Sequence, residues 1–479
     1  MIDQRMPNTS FLNLFAGLML VLVLTACTAH YTVNSKITTV KSVERYSFEN
    51  RPASGKSDEL LLILTFSGGG TRAAALSYGV LQTLADTQIA LGGKKRRLLD
   101  EVDVISSVSG GSFTSAYYGL FGDRIFEDFE TKFLKRNVEG ELARRLISPS
   151  SWPKLMSSYY ARSDLAADYF DEILFEGKTF SDFQVPLSPL IAVNATDIAL
   201  GTQFTFLGDQ FARICADLSS YPVSRAVTAS AAVPGPFSSI VLQNYAGTCD
   251  YQIPQWAAKA IRDRRITTRR YQDAQIISSY LDVEKFPYIH LFDGGLSDNL
   301  GVRLILNYTS QTENIWRRLE ALNLENMSKL AVIVINAKNK MKTDFAKQRR
   351  SAPIIDTFGV ISSIPLDRYS WDTLELLRTN ISSWEKSITA GRCRKLKTQV
   401  TGENTDATSV KSDCAAKTYL IEVSFDLLAN THEREHFLSL PTSFDLKEKD
   451  VDRLKAVARR LLIHSDEFQR LIGDLQSGF

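Results

Sequence analysis

Short, uninterrupted apolar runs alternate along this chain with stretches in which apolar residues recur every three or four positions. The run 59–66 (ELLLILTF) has no polar alternation, the pattern of a strand covered on both faces, and 71–84 then carries helical spacing. Comparable strand runs stand at 102–108, 189–194, 288–292, 329–337 and 418–425, with helical patterns between them. That alternation predicts an α/β class, a three-layer α/β/α arrangement with a mainly parallel central sheet. Near the end, 448–463 puts Val451, Leu454, Val457, Leu461 and Leu462 on one helical face, which predicts packing on the sheet and no separate C-terminal domain. No internal repeat is evident.

The first residues depart from this pattern. Arg5 precedes an uncharged apolar run over 11–24, short for a bilayer span and the size of a signal h-region, and it ends in Leu24-Thr25-Ala26-Cys27. Small residues before a cysteine resemble a bacterial lipobox. The reading is a signal peptide over 1–26, lipidation at Cys27, a polar tether over 27–58 without a periodic apolar face, and one domain over 59–479. Thr28 after the cysteine, with no Asp there, favours a lipid-anchored place in the cell envelope, at the outer membrane facing the periplasm. The remaining cysteines, Cys215, Cys249, Cys393 and Cys414, form an even set in two sequence-local pairs, as disulfides in an oxidising space would. Of three possible pairings, 215–249 with 393–414 closes the shortest loops.

Composition adds two exclusions. With 44% hydrophobic residues in 479, the chain has ample material for a core and is not disordered. Its 56 Lys+Arg against 54 Asp+Glu leave +2, a poor footprint for a nucleic-acid partner. Basic runs at 94–97 and 262–270 read as solvated faces more readily than as contacts for anionic headgroups.

Three glycine-rich turns carry the candidate chemistry. Ser67-Gly68-Gly69-Gly70-Thr71-Arg72-Ala73 lies where the first strand passes into its helix, so backbone N–H groups there can face an anion. A dinucleotide site would need an acid at the end of the second strand, and Val108-Ser109 stands there instead. Ser106-Ser107-Val108-Ser109-Gly110-Gly111-Ser112 approximates a nucleophile elbow, with Ser107 in place of its first glycine. The third turn, His290-Leu291-Phe292-Asp293-Gly294-Gly295, ends a strand in a carboxylate, on the edge where open α/β sheets place their sites.

With Ala229-Ser230-Ala231-Ala232-Val233-Pro234 and Phe237 between the second and third turns, this ordered set over about 60–337 resembles the patatin-like phospholipase family, whose relatives include the cytosolic group-IV phospholipases. The resemblance implies a patatin-like fold with a C-terminal extension over 338–479. It also implies hydrolysis of phospholipid or other lipid acyl esters by a Ser–Asp dyad, with neither cofactor nor metal. On the matching positions Ser109 is the nucleophile, Asp293 the base, and Gly68, Gly69 and Gly70 form the oxyanion loop. Arg72 aligns with a residue that steadies that loop or meets a lipid phosphate. Ala73 and Ser107 stand where many members have glycine.

The residues support a dyad independently. Serine needs a base within hydrogen-bond reach and donors for the oxyanion. Of five histidines only His290 is near a turn, and its odd offset from Asp293 puts the two on opposite strand faces. A rival motif, His432-Glu433-Arg434-Glu435-His436, matches the H-E-x-x-H of zinc peptidases, though a solvated charged face is the plainer reading. A catalytically idle envelope binding protein of the same fold remains open. The long segment 121–183 after the elbow helix, with Trp152, Leu155, Met156, Tyr159 and Tyr160, is either a lipid-facing cap or core.

Overall fold

The computed structural model describes residues 34–42, 46–49, 55–91, 93–183, 188–312, 314–340, 354–399 and 414–476. The region read as a signal peptide, and Cys27, lie outside them.

Among the described residues ten strands form: β1 (Leu60–Phe66), β2 (Gln88–Leu91), β3 (Lys94–Arg97), β4 (Val102–Val108), β5 (Leu190–Asp197), β6 (Thr202–Thr205), β7 (Ile240–Gln243), β8 (Tyr288–Asp293), β9 (Lys329–Asn336) and β10 (Lys417–Ser424). The central sheet runs β10-β9-β1-β4-β5-β8-β7, with β6 paired to β5, while β2 and β3 make a separate hairpin. The five strands from β10 to β5 are parallel, and every residue of β1, β4 and β5 is buried, as strands covered on both faces require. Helices cover both faces, giving the three-layer α/β/α architecture.

Register brings the strand ends level. Phe66 pairs with Ser107 on one side and Ile335 on the other, and Val108 pairs with Asn194. The carboxyl ends of β9, β1, β4 and β5 therefore share one edge. β8 reaches that edge differently from expectation. It runs antiparallel to β5 and pairs only with its last three residues, Ala195 opposite Asp293. It enters from beyond the sheet and ends level with Ser109.

Two expectations about packing are revised. The helix Glu448–Ile463 buries its apolar face chiefly against the helix Gly70–Asp86 rather than on the strands. The two approach so closely that a Cβ on Gly79 would lie 2.8 Å from the Lys455 backbone. Within the stretch read as a tether, the described residues lie on the domain. Tyr46 is buried between Phe180 and Phe183, its hydroxyl donating to Ile191 O at 2.9 Å and accepting from Ile191 N–H at 3.0 Å. Asn34 exchanges two hydrogen bonds with the Gln243 backbone at the sheet edge. Isolated anchors of this kind leave no periodicity to read. Cys215 is bonded to Cys249 and Cys393 to Cys414.

Candidate active site

β4 ends in a sharp turn at Ser109, whose φ of 51° and ψ of −121° are costly for a residue with a Cβ, and the helix Gly110–Phe121 starts immediately after it. Small residues are compulsory here: a Cβ on Gly110 would lie 2.0 Å from Gly70 O, and one on Gly111 2.6 Å from Phe66 Cβ. The elbow helix thus rests directly on the glycine loop. Ser107 fits where glycine was the family expectation because its hydroxyl accepts from Ser115 Oγ at 2.6 Å and its carbonyl from Asn194 Nδ2 at 3.0 Å.

Ser109 Oγ donates to Asp293 Oδ2 at 2.8 Å, and the Gly295 N–H donates to Asp293 Oδ1 at 2.8 Å. Both side chains are nearly inaccessible. Burial lifts the Asp293 carboxyl to about 6, with the Gly295 and Ser109 hydrogen bonds pulling the other way. An acid so placed is poised to exchange a proton near neutral pH.

Ser230 holds the two halves together, a role the sequence motif gave no means to assign. Its hydroxyl accepts from the Ser109 N–H at 2.8 Å and donates to Asn194 O at 2.6 Å. Its own carbonyl and that of Ala232 accept from the Gly294 and Asp293 N–H groups at 3.0 and 2.9 Å. The segment 230–232 therefore ties the elbow, β5 and the Asp293 turn into one frame.

In the glycine loop the donors are unequal. The Gly68 N–H is committed to Asn299 O at 3.0 Å, which removes it from the expected oxyanion set. Gly69 and Gly70 adopt φ of 139° and 59°, and among the described residues their N–H groups have no acceptor. Arg72 is 1% exposed, and its guanidinium donates to Ala337 O, Leu440 O and Thr442 Oγ1. It buttresses the loop and is not placed to meet a lipid phosphate, with burial pulling it down to about 10. The Thr71 N–H reaches Ser443 O at 2.9 Å, so 440–444 of the C-terminal extension completes the site. Nothing in that stretch announces such a role.

In front of Ser109 opens a cavity of about 430 Å³, floored by Gly70 and Ser109 and walled by Leu142, Ala143, Leu146, Leu165, Ala166, Val233, Pro236, Phe237 and Phe444. Most of these walls come from the helices Val138–Ile147 and Arg162–Phe170 of the 121–183 segment. Phe444 is fixed from behind by Phe113, itself stacked on Phe133 at 4.5 Å. Further along the same segment Trp152, Met156 and Tyr159 are 55%, 86% and 71% exposed, which places them outside any core.

The remaining candidates lie elsewhere. His290 is exposed and meets Ser239 Oγ at 3.1 Å. His432 to His436 do occupy a helix, Thr431–Ser439, but its acids face cations: Glu433 pairs with Arg460 at 2.6 Å, Glu435 with Lys340 at 2.8 Å, while His436 meets Asp450 at 3.0 Å. Among the described residues no three His, Cys, Asp or Glu side chains gather as a metal site.

Comparison with known proteins follows the same elements. The family model described as patatin-like phospholipase matches residues 64–306, from the first strand to beyond the Asp293 turn. Among solved structures, human GIVD cytosolic phospholipase A2 matches with 12% identity and a TM-score of 0.39, over 91% of this chain. The match spans 65% of that protein's chain. No curated protein matches.

Proposed function

This chain belongs to the patatin-like phospholipase family, and from that premise we propose that it is a serine lipid acyl hydrolase of the phospholipase A or lysophospholipase kind, working through a Ser109–Asp293 dyad. The observation that carries the reading is the 2.8 Å hydrogen bond from a strained, elbow-borne Ser109 to a buried carboxylate raised to about 6. Asp293 takes the hydroxyl proton as Ser109 Oγ attacks the ester carbonyl. The oxyanion is received by the N–H groups of Gly69 and Gly70, and Asp293 returns its proton to the departing alcohol. Water, deprotonated by the same carboxylate, then releases the fatty acid and restores Ser109. The apolar cavity suits an acyl chain, and no cofactor enters the cycle.

The cellular setting forms part of the proposal. A signal peptide over 1–26 directs export, Cys27 receives the lipid anchor, and the domain works in the cell envelope on the periplasmic side of the outer membrane. Two disulfides agree with an oxidising compartment. No helix among the described residues is long and apolar enough to cross a membrane. Hydrolysis of phospholipid vesicles by wild type, Ser109→Ala and Asp293→Asn tests the reading. Loss of turnover in both variants with folding intact is expected, and substantial turnover in either would remove the dyad.

A further inference from the structure

The cavity before Ser109 is lined mainly by apolar side chains, with Thr442 and Ser443 on its wall and two charged side chains, Arg162 and Glu139. Both are exposed, and among the described residues neither makes a hydrogen bond or ion pair. Several other charges on the same segment are matched: Arg144 pairs with Glu141, Arg145 with Glu172, and Lys154 with Asp168. Asp164, in the first turn of the helix that Arg162 opens, is neutralised by Arg225 at 2.7 Å and caps the Ala161 N–H. Its charge therefore opposes an anion at Arg162 only weakly. Arg72, the basic residue that sequence pointed to for a phosphate, is buried and spent on the loop.

An unpaired guanidinium at the rim of an apolar, nucleophile-bearing cavity matches one chemistry closely. A phosphodiester accepts its planar fork in two parallel hydrogen bonds, while the acyl chain attached to the same molecule fills the apolar space. Glu139, on the helix Val138–Ile147, offers the opposite charge to an ammonium on the same headgroup. We propose that this cavity selects zwitterionic glycerophospholipids, Arg162 receiving the phosphate and Glu139 the amine while an acyl ester lies at Ser109. The inference rests on the acyl hydrolase reading and adds its substrate class.

The test uses detergent mixed micelles at fixed surface fraction, containing phosphatidylethanolamine, phosphatidylglycerol or diacylglycerol with identical acyl chains. Arg162→Gln should lower kcat/KM for both phospholipids, relative to diacylglycerol, at least about tenfold, the size of one charge-assisted contact. Arg162→Lys should recover part of that loss. Glu139→Gln should lower the ratio of phosphatidylethanolamine to phosphatidylglycerol turnover. Adding a non-hydrolysable ether phospholipid to diacylglycerol micelles separates the two sources of phosphate. If it raises wild-type turnover as far as substrate phosphate does, Arg162 senses the surface and the substrate assignment is overturned. Equal losses on all three lipids, or none, also overturn it, as does an unchanged ratio in Glu139→Gln for the ammonium half. A wild-type protein inert toward every lipid would instead sink the hydrolase reading, and the inference with it.

Discussion

Replacing Asp293 by Asn should make the protein more stable where the wild type is most active. Unfolded, the carboxyl titrates at 3.8; folded, burial raises it to about 6. A raised folded value means that its contribution to stability is present in full below pH 3.8 and lost as pH rises through 6. The gap between 3.8 and about 6 corresponds to about 3 kcal/mol. Above pH 6 the wild type therefore carries that penalty for keeping a buried carboxylate charged, and a neutral Asn does not. Asp298, also raised to about 6 by burial, titrates in both proteins and cancels in the comparison. Urea unfolding of both proteins at pH 4 and pH 8 measures the effect: the unfolded carboxyl is already more than half ionised at pH 4, so the stability of Asp293→Asn minus that of wild type should grow by about 2–2.5 kcal/mol between the two. Over the same interval wild-type kcat/KM should rise through pH 6, because the base must be deprotonated to work. A stability difference that is flat with pH, or that shrinks as pH rises, would refute the reasoning.

Three other substitutions probe separate parts of the account. Arg72→Met leaves Ala337 O, Leu440 O and Thr442 Oγ1 without their donor and should cost about 2–5 kcal/mol in urea unfolding, with turnover falling equally on neutral and phosphate-bearing esters. A rise in KM confined to phospholipids would return Arg72 to the substrate. Gly110→Ala forces a Cβ to within 2.0 Å of Gly70 O, so kcat should fall by about a hundredfold or more while circular dichroism stays near native, since elbow and loop must part. Cys27→Ser should abolish incorporation of labelled fatty acid and move the protein out of the membrane fraction; continued labelling would place the anchor elsewhere.

Much of the sheet is legible because parallel strands buried on both faces are rich in apolar residues, continuously in β1 and nearly so in β9, with polar interruptions in β4, β5 and β10. The four-residue strands escape notice. KKRR forms β3 because its backbone pairs with QIAL while Arg96 and Arg97 are matched by Glu101 and Asp100, partners that spacing does not reveal, and β6 and β7 are equally short. Strand direction has no signature in a run, so the reversed β8 could not be foreseen, whereas the opposite faces of His290 and Asp293 follow from a period of two. The site divides along the same line. Glycines at close approaches and the elbow serine are local signals. The burial of Arg72 depends on Leu440 and Thr442, some 370 positions away, and the engagement of the Gly68 N–H depends on Asn299. Contacts across such separations leave no trace in spacing.

In the proposed mechanism Ser109, activated by Asp293 alone, is the nucleophile. Intact-protein mass spectrometry after exposure to a fluorophosphonate, followed by peptide mapping, tests it most directly. A single adduct on Ser109 is expected, formed more rapidly above pH 6, absent from Ser109→Ala and nearly absent from Asp293→Asn, and retained in His290→Ala. An adduct that persists in Ser109→Ala, or one that vanishes in His290→Ala, would contradict it.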